Sequence, residues 1–456
     1  MRVVRTHLHR NTAPVAVVWL LVCAVGVITF YWLRNQPFFY DANGYMIESK
    51  GISDHGLLSK WPYSDIRSYG YPWFLTGSRA LARALHHGPH AGVFMTQWPL
   101  FVASAWLAAN SLFSATRTRL LAFASVAANP LLVVYSAQAF TESVTLSCVL
   151  FATAALARAA RAGGRPAASA WLVAGAAVSS YAVAVRPGSL LLPVCYALGA
   201  AVVLLRLVGR MRRIAVAATA LSVLAALVLP LLPQVIINHR HYHSSSPLPT
   251  YDLAKLQAEA GMTITRYMSN VSTCGGVGIK IANPNPPAVP ANANTLDAVR
   301  YYTLTWPGGP EMVLLHLFSG FDPRPFLIDQ HDFGARYERV LQIFTIALLF
   351  LAGLGLRRAI RLLRDQQGRI RIEVAFLAVV TVVFLGVLAT SAAEYRFGAV
   401  PLITVSFLAA FGASQRWRPS WQTAALVGAG FVGALLLWVT LSDLVLSSSP
   451  IWQQCS

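Results

Sequence analysis

Charge is what this chain has least of. Only 12% of its 456 residues are Asp, Glu, Lys or Arg, against about 25% in typical soluble domains. That is too little to cover a water-soluble protein of this length, so an ordinary cytosolic enzyme is excluded. Acids are scarcer still, 17 against 36 Lys plus Arg, for a net charge of +19. Such an excess would suggest nucleic-acid binding if the cations lay on a hydrophilic domain. The mean hydropathy is +0.55, which places them in a membrane protein instead. Cysteine is sparse. Cys23, Cys148 and Cys195 of the five fall in apolar runs and read as small buried residues. Cys274 and Cys455 form an external pair, and a bridge between them is left open, because spacing does not give their Cα separation. No internal repeat is seen, and charges inside the apolar runs are absent except at their ends; both weigh against a duplicated transporter.

What the chain does have is long apolar runs, and a bilayer core requires about 20 residues of helix. Eleven spans are expected near 14–33, 91–113, 120–137, 143–157, 170–185, 188–205, 214–237, 340–356, 374–393, 397–413 and 421–442. Of these, 143–157 and 170–185 are short enough to be tilted or broken. The cations alternate with the spans: 20 of the 36 fall before the first span or in every second loop, where only Asp365 and Glu373 oppose them. Cytoplasmic loops carry the Lys and Arg excess, so the N-terminus is expected inside and the C-terminus outside. The first span has no small-x-small site after it and is expected to be retained. The fold class is therefore all-α and polytopic. Expected divisions are an N-terminal module 1–237 with an outer loop 34–90 holding juxtamembrane helices, a large fourth outer loop 238–339, and C-terminal helices 340–456. Every inner loop is short, and long loops tend to be functional, so the chemistry is expected on the outer face.

The first outer loop opens with PFFYDANGYMIESKGISDHG at 37–56. Asp41 stands just beyond the first span, where a carboxylate could take a proton from a hydroxyl while a phosphate leaves; a helix N-cap is the competing reading. Tyr45, Ile47, Ile52 and Leu57 suit a helix lying on the membrane. Then comes Arg67, followed by Gly70, Tyr71 and Pro72, and an amphipathic helical run to 85.

This succession of an acid after the first span, a Tyr four residues on, a Gly-containing turn and an Arg-x-x-Gly-Tyr-Pro stretch resembles the first periplasmic loop of the GT-C superfamily. Those are integral-membrane glycosyltransferases using polyprenyl-phosphate sugars, and their protein mannosyltransferase and lipid A aminoarabinose transferase branches are similar. NPLLVVYSAQAFTESVTL at 129–146 resembles the family's outer hairpin with a Thr-Glu pair opening a helix. AVRPGSLLLPV at 184–194 resembles its Arg-Pro turn, and AEYRFGAVPLI at 393–403 its late Arg followed by Pro. The resemblance implies Asp41 as general base, with Tyr45, Glu48, Tyr71 and Glu142 as sugar or acceptor contacts. It also implies donor-phosphate binding by Arg67, Arg186 and Arg396.

Physical chemistry agrees in part. Arg186 and Arg396 sit at outer helix ends, where an ionisable group is costly, and Arg can grip a phosphate with two hydrogen bonds. Snorkelling to headgroups is the alternative, and Glu394 is a candidate partner for Arg396. Helix-dipole stabilisation is the alternative for Glu142. One feature departs from the family: Ala42 and Asn43 follow Asp41, leaving no second acid beside it and no obvious divalent-cation site. Neither metal nor cofactor is expected, and Glu48 and Asp54 are the acids that would alter this. His239, His241 and His243 alternate like a metal tract, but no acid or Cys stands in ligand spacing, and an interfacial loop is preferred. Asn270-Val271-Ser272 is a glycosylation triplet of low specificity, and Asp332, Arg336 and Arg339 have no assigned role.

The sequence is thus expected to be a multi-pass glycosyltransferase of the bacterial inner membrane with a periplasmic active site. It would pass one sugar, with inversion, from a polyprenyl-phosphate donor to a hydroxyl of a lipid, glycan or protein acceptor; nucleic acid is not a partner. An O-antigen polymerase or ligase and a lipid-linked sugar flippase are the alternatives.

Overall fold

A computed structural model describes residues 2–35, 38, 40–162, 165–208, 213–271, 277–283, 286–287, 295–323, 335–362, 371–391, 395–414 and 420–447. Ten of its helices are long and apolar enough to cross a membrane, or eleven spans if one bent pair is counted. The protein is a multi-pass, almost entirely helical membrane protein. Its contacts divide it into one unit of Met1–Leu248 with Arg357–Leu377 and another of Pro249–Leu356 with Ala378–Ser456.

In the first unit, α1 (Arg2–Leu33) leads to two helices too short or too polar to span, α2 (Tyr40–His55) and α3 (Gly70–Ala84). α4 (Pro89–Leu112), α5 (Thr116–Ala127), α6 (Pro130–Ala137), α7 (Thr141–Arg161) and α8 (Arg165–Val185) follow. Then come α9 (Leu191–Val208), α10 (Arg213–Val228) and α11 (Leu232–Tyr242). The break in the membrane-crossing series falls at α5–α6, which bend by 51°, and not at 143–157 or 170–185. The cause is local: Asn129 caps α6 by accepting from the Leu131 amide at 3.0 Å, with Pro130 at its first position, a combination that starts a new helix. α7 is unbroken and buried almost all round. Its run reads short because Ser143, Thr145, Ser147 and Thr153 are buried among its apolar residues. Small residues let neighbouring membrane helices approach closely, and Ser147 and Thr153 return their hydroxyls to carbonyls four residues back at 2.8 Å.

The cation-rich loops converge as an alternating topology requires. Glu373, 5% exposed in its side chain, accepts from Arg161 at 2.8 Å and from Arg371 at 2.9 Å. Arg161 also reaches the Ser111 carbonyl and Arg371 the Leu112 carbonyl. The ends of α4 and α7 and the start of a helix at Ile372 therefore share one end of the bundle, and α2 and α3 lie at the other.

The second unit holds α12 (Leu253–Thr263), an antiparallel hairpin of β1 (Ile264–Val271) and β2 (Val277–Ala282), α13 (Thr295–Arg300) and α14 (Gly309–Phe321). α15 (Ala335–Leu362), α16 (Ile372–Thr390), α17 (Ala399–Ser414) and α18 (Trp421–Ser447) complete the chain. The large loop thus contains short helices, as expected, and also a hairpin that its Pro- and Asn-rich composition does not predict. Buried His316 of α14 anchors the hairpin: its ring nitrogens lie 3.0 Å from the carbonyls of Ile264 and Ala389. Cys274, Cys455, Ser272, Asp332 and Glu394 lie outside the described residues, as does most of the Pro- and Asn-rich stretch.

Candidate active site

The site is built first by helical spacing. Asp41, Tyr45 and Glu48 stand at i, i+4 and i+7 of α2 and so share one face. Arg67, in the turn before α3, lies across that face. Its Nη2 donates to Oδ1 of Asp41 and its Nη1 to Oε1 of Glu48, both at 2.7 Å. The guanidinium carbon is 4.5 Å from the centre of the Tyr45 ring. Gly44, at i+3 on the same face, is what admits the side chain: a Cβ there would fall 2.1 Å from Nη1.

The turn carrying Arg67 is fixed from several sides. The Tyr69 amide donates to Oε1 of Gln234 at 3.1 Å, and the Tyr69 hydroxyl reaches the Pro230 carbonyl. Tyr181 of α8 donates to the Gly70 carbonyl at 2.9 Å. Gly70 lies against α8 so closely that a Cβ would be 2.5 Å from the Ala184 oxygen. α3 then buries Tyr71, Leu75, Ser78 and Ala82 at i, i+4, i+7 and i+11.

A second ion pair stands at the same end. Glu142, in the first turn of α7, accepts from Nη1 of Arg186 at 2.7 Å. Arg186 precedes the 3-10 turn Pro187–Ser189 that joins α8 to α9. Tyr71 packs beside the first pair: its ring meets that of Tyr45 edge-on at 4.9 Å, and its hydroxyl is 3.5 Å from Oε1 of Gln97. Gln97, fully buried in α4, donates to the Gln138 carbonyl at 2.9 Å. Nothing local marks Gln97 in the sequence; only packing brings it here.

The electrostatics separates the acids. Asp41 is 36% exposed in its side chain and Glu48 is at 0%. Burial raises the Glu48 carboxyl to about 8, even though Arg67 pulls it down. Glu48 Oε2 is buried with no hydrogen-bond partner among the described residues, so no second donor stabilises its charged form. Burial, and then the charge of Asp41, raises the Tyr45 phenol; burial, and then Glu142, raises Tyr71. Both phenols stay neutral at physiological pH. Burial lowers the Arg67 pKa, but the pull of Tyr45, Glu48 and Asp41 outweighs it, so the guanidinium is held cationic between its acids.

Seven of the eight candidates, Asp41, Tyr45, Glu48, Arg67, Tyr71, Glu142 and Arg186, therefore gather at one end of the first unit. Their pairings were not legible: Arg67 is engaged with two carboxylates, and Glu142 with Arg186. Arg396 belongs to the second unit, half-buried in the 3-10 turn Tyr395–Gly398 ahead of α17, with its guanidinium 5.6 Å from the Phe397 ring. In that unit Arg339 donates to both oxygens of Asp443 at 3.1 and 3.2 Å. Gln342 and Ser442 donate to buried Asp322 at 3.0 and 2.5 Å. Among the described residues no three His, Cys, Asp or Glu side chains are grouped to hold a metal ion. His241 of the alternating tract reaches the Leu58 carbonyl at 3.1 Å.

No family model matches the chain, and no curated protein matches it. Among solved structures it is similar to the crystal structure of ArnT from Cupriavidus metallidurans bound to undecaprenyl phosphate, with 14% identity and a TM-score of 0.48. That likeness covers 92% of this chain and 64% of the other, so the chain spans just under two thirds of that protein's length.

Proposed function

We propose that the protein is a membrane glycosyltransferase that passes one sugar from a polyprenyl-phosphate donor to a hydroxyl acceptor. It would act at the periplasmic face of a bacterial inner membrane. The observation that carries this reading is the division of labour in the α2 face: an accessible acid, Asp41, clamped by Arg67 against a buried acid, Glu48, with the cation Arg186 at the same end. A general base must be reachable by the proton it takes and held in place, and Asp41 meets both requirements.

In the proposed step, the acceptor oxygen attacks the anomeric carbon as its proton passes to Asp41. The bond from that carbon to the phosphate oxygen breaks, and the phosphate leaves on its lipid with inversion at the carbon. Arg186 stabilises the charge that grows on the departing phosphate, since preorganised donors act most strongly where charge develops. Arg67 is assigned as a positioning residue, because its donors hold Asp41 and Glu48. Tyr45, Tyr71 and Glu142 are proposed as the sugar or acceptor contacts, and Arg396 of the second unit is a separate candidate for binding a phosphate. A lipid, glycan or protein supplies the hydroxyl.

The test is transfer of labelled sugar from a polyprenyl-phosphate donor by wild type and Asp41→Asn. Loss of a general base is expected to slow transfer by about 10²–10⁴. Activity near wild type in the variant overturns the assignment.

A further inference from the structure

Beside the Arg67 clamp lies a cleft of about 340 Å³ lined by Lys60, Trp61, Pro62, Tyr63, Asp65 and Tyr242. This is at the small end of the range of ligand sites, about 300–1,000 Å³. Three of its walls are aromatic, and its two charges are one of each sign. It is physically tied to the candidate active site. The Arg67 amide donates to the Tyr63 carbonyl at 2.9 Å, and the Arg67 guanidinium lies 5.6 Å from the Tyr63 ring. Tyr63 holds a backbone φ of 60°, a left-handed conformation that a bulky residue adopts only where surrounding structure enforces it, and such strain gathers at functional sites.

The other walls are also fixed. The Tyr242 hydroxyl shares a hydrogen bond with Ser64 at 2.6 Å, and the Lys60 ammonium lies 5.6 Å from its ring. Trp61 is 3% exposed and packs with Ile52, Tyr69, Ala184 and Ile237. Its indole N–H is nevertheless buried without an acceptor among the described residues, which is rare in folded proteins.

We propose that this cleft is an acceptor subsite for a neutral pyranose, so that the acceptor is a glycan or glycolipid; as an acceptor site it rests on the transferase reading above. Aromatic ring faces are electron-rich and attract the weakly positive C–H face of a sugar ring. Lys60 and Asp65 supply a donor and an acceptor for hydroxyls. The balance of one cation against one anion fits an uncharged polyol better than a phosphate. The shared Tyr63 wall would set an acceptor hydroxyl near Asp41.

Binding is measured first without donor, by saturation-transfer NMR on the full chain in detergent. The probes are methyl α-glucoside, methyl α-mannoside, methyl α-galactoside and glycerol 1-phosphate. Saturation is expected on the ring protons of at least one glycoside. It should fall about five- to tenfold in Tyr63→Ala, the size of a lost aromatic contact, weaken in Asp65→Asn and persist in Tyr63→Phe. Asp41→Asn should keep this binding while losing transfer. In the transfer assay, Tyr63→Ala should raise the acceptor KM by about the same factor with kcat within about twofold. Silence from every glycoside, equal signals from wild type and Tyr63→Ala, or response to glycerol 1-phosphate alone overturns the subsite. An unchanged acceptor KM with transfer intact removes the subsite and leaves the transferase reading. Glycoside binding without any transfer keeps the sugar site and removes that reading.

Discussion

Asp41 and Arg67, 26 residues apart in the chain, meet side chain to side chain at 2.7 Å, with Gly44 leaving the space that the guanidinium fills. A carboxylate clamped in this way is oriented but also restrained, so the geometry of the clamp should matter as much as its charges.

Gly44→Ala tests that geometry without altering charge. The added methyl would meet Nη1 of Arg67 at 2.1 Å, and a flexible side-chain tip yields more readily than backbone. The expected result is near-normal folding with sugar transfer reduced by about tenfold or more, since small displacements of positioning groups cost that much. Unchanged transfer rates would show that the clamp is dispensable.

Removing the cation should damage the fold as well. Arg67→Gln leaves fully buried Glu48 without its donor, and a buried polar group left without its partner costs about 1–3 kcal/mol. The Arg67→Gln/Glu48→Gln double variant should recover much of that stability, giving a large coupling energy in thermal or chemical unfolding. Simple additivity would mean the two side chains do not depend on each other.

Glu48 gives stability a pH dependence of known sign. Burial holds its folded pKa at about 8, above the ordinary 4.5. Between those values the unfolded chain has lost a proton that the folded chain keeps. This group's contribution to stability is therefore lost as pH rises through that window, by at most about 1.4 kcal/mol per pH unit. Glu48→Gln should flatten the unfolding profile between about pH 4.5 and 8; an equally steep profile in the variant would assign the dependence elsewhere.

Arg186 and Glu142 should separate binding from folding. Arg186→Gln strands Glu142, which is 2% exposed, and is expected to destabilise the protein. Arg186→Gln/Glu142→Gln should restore the unfolding temperature while transfer stays low, because the proposed phosphate and sugar contacts are both missing. Recovery of transfer along with stability would make Arg186 purely structural.

The spans, the two helices after the first span and the acid that opens them were legible because each depends on residues near in sequence. Apolar runs long enough to cross a bilayer and cations gathered in alternate loops are local patterns. The spacing of Asp41, Tyr45 and Glu48 on one helical face is local too. The partners were not. Arg67 could equally have faced a phosphate, and Glu142 a sugar, until packing of α2, α3, α7 and α8 brought each to an opposite charge.

Packing also decided that α7, which reads short, stays whole inside a shell of other helices, whereas the broken crossing is set locally by Asn129-Pro130. Hydropathy alone registers the apolar character of a run, not whether lipid or protein surrounds it. Sequence by itself therefore determined which segments enter the membrane and which acid stands at its edge. The tertiary structure decided which charges are paired and which acid is buried, because desolvation and Coulomb energy depend on neighbours that only the fold supplies.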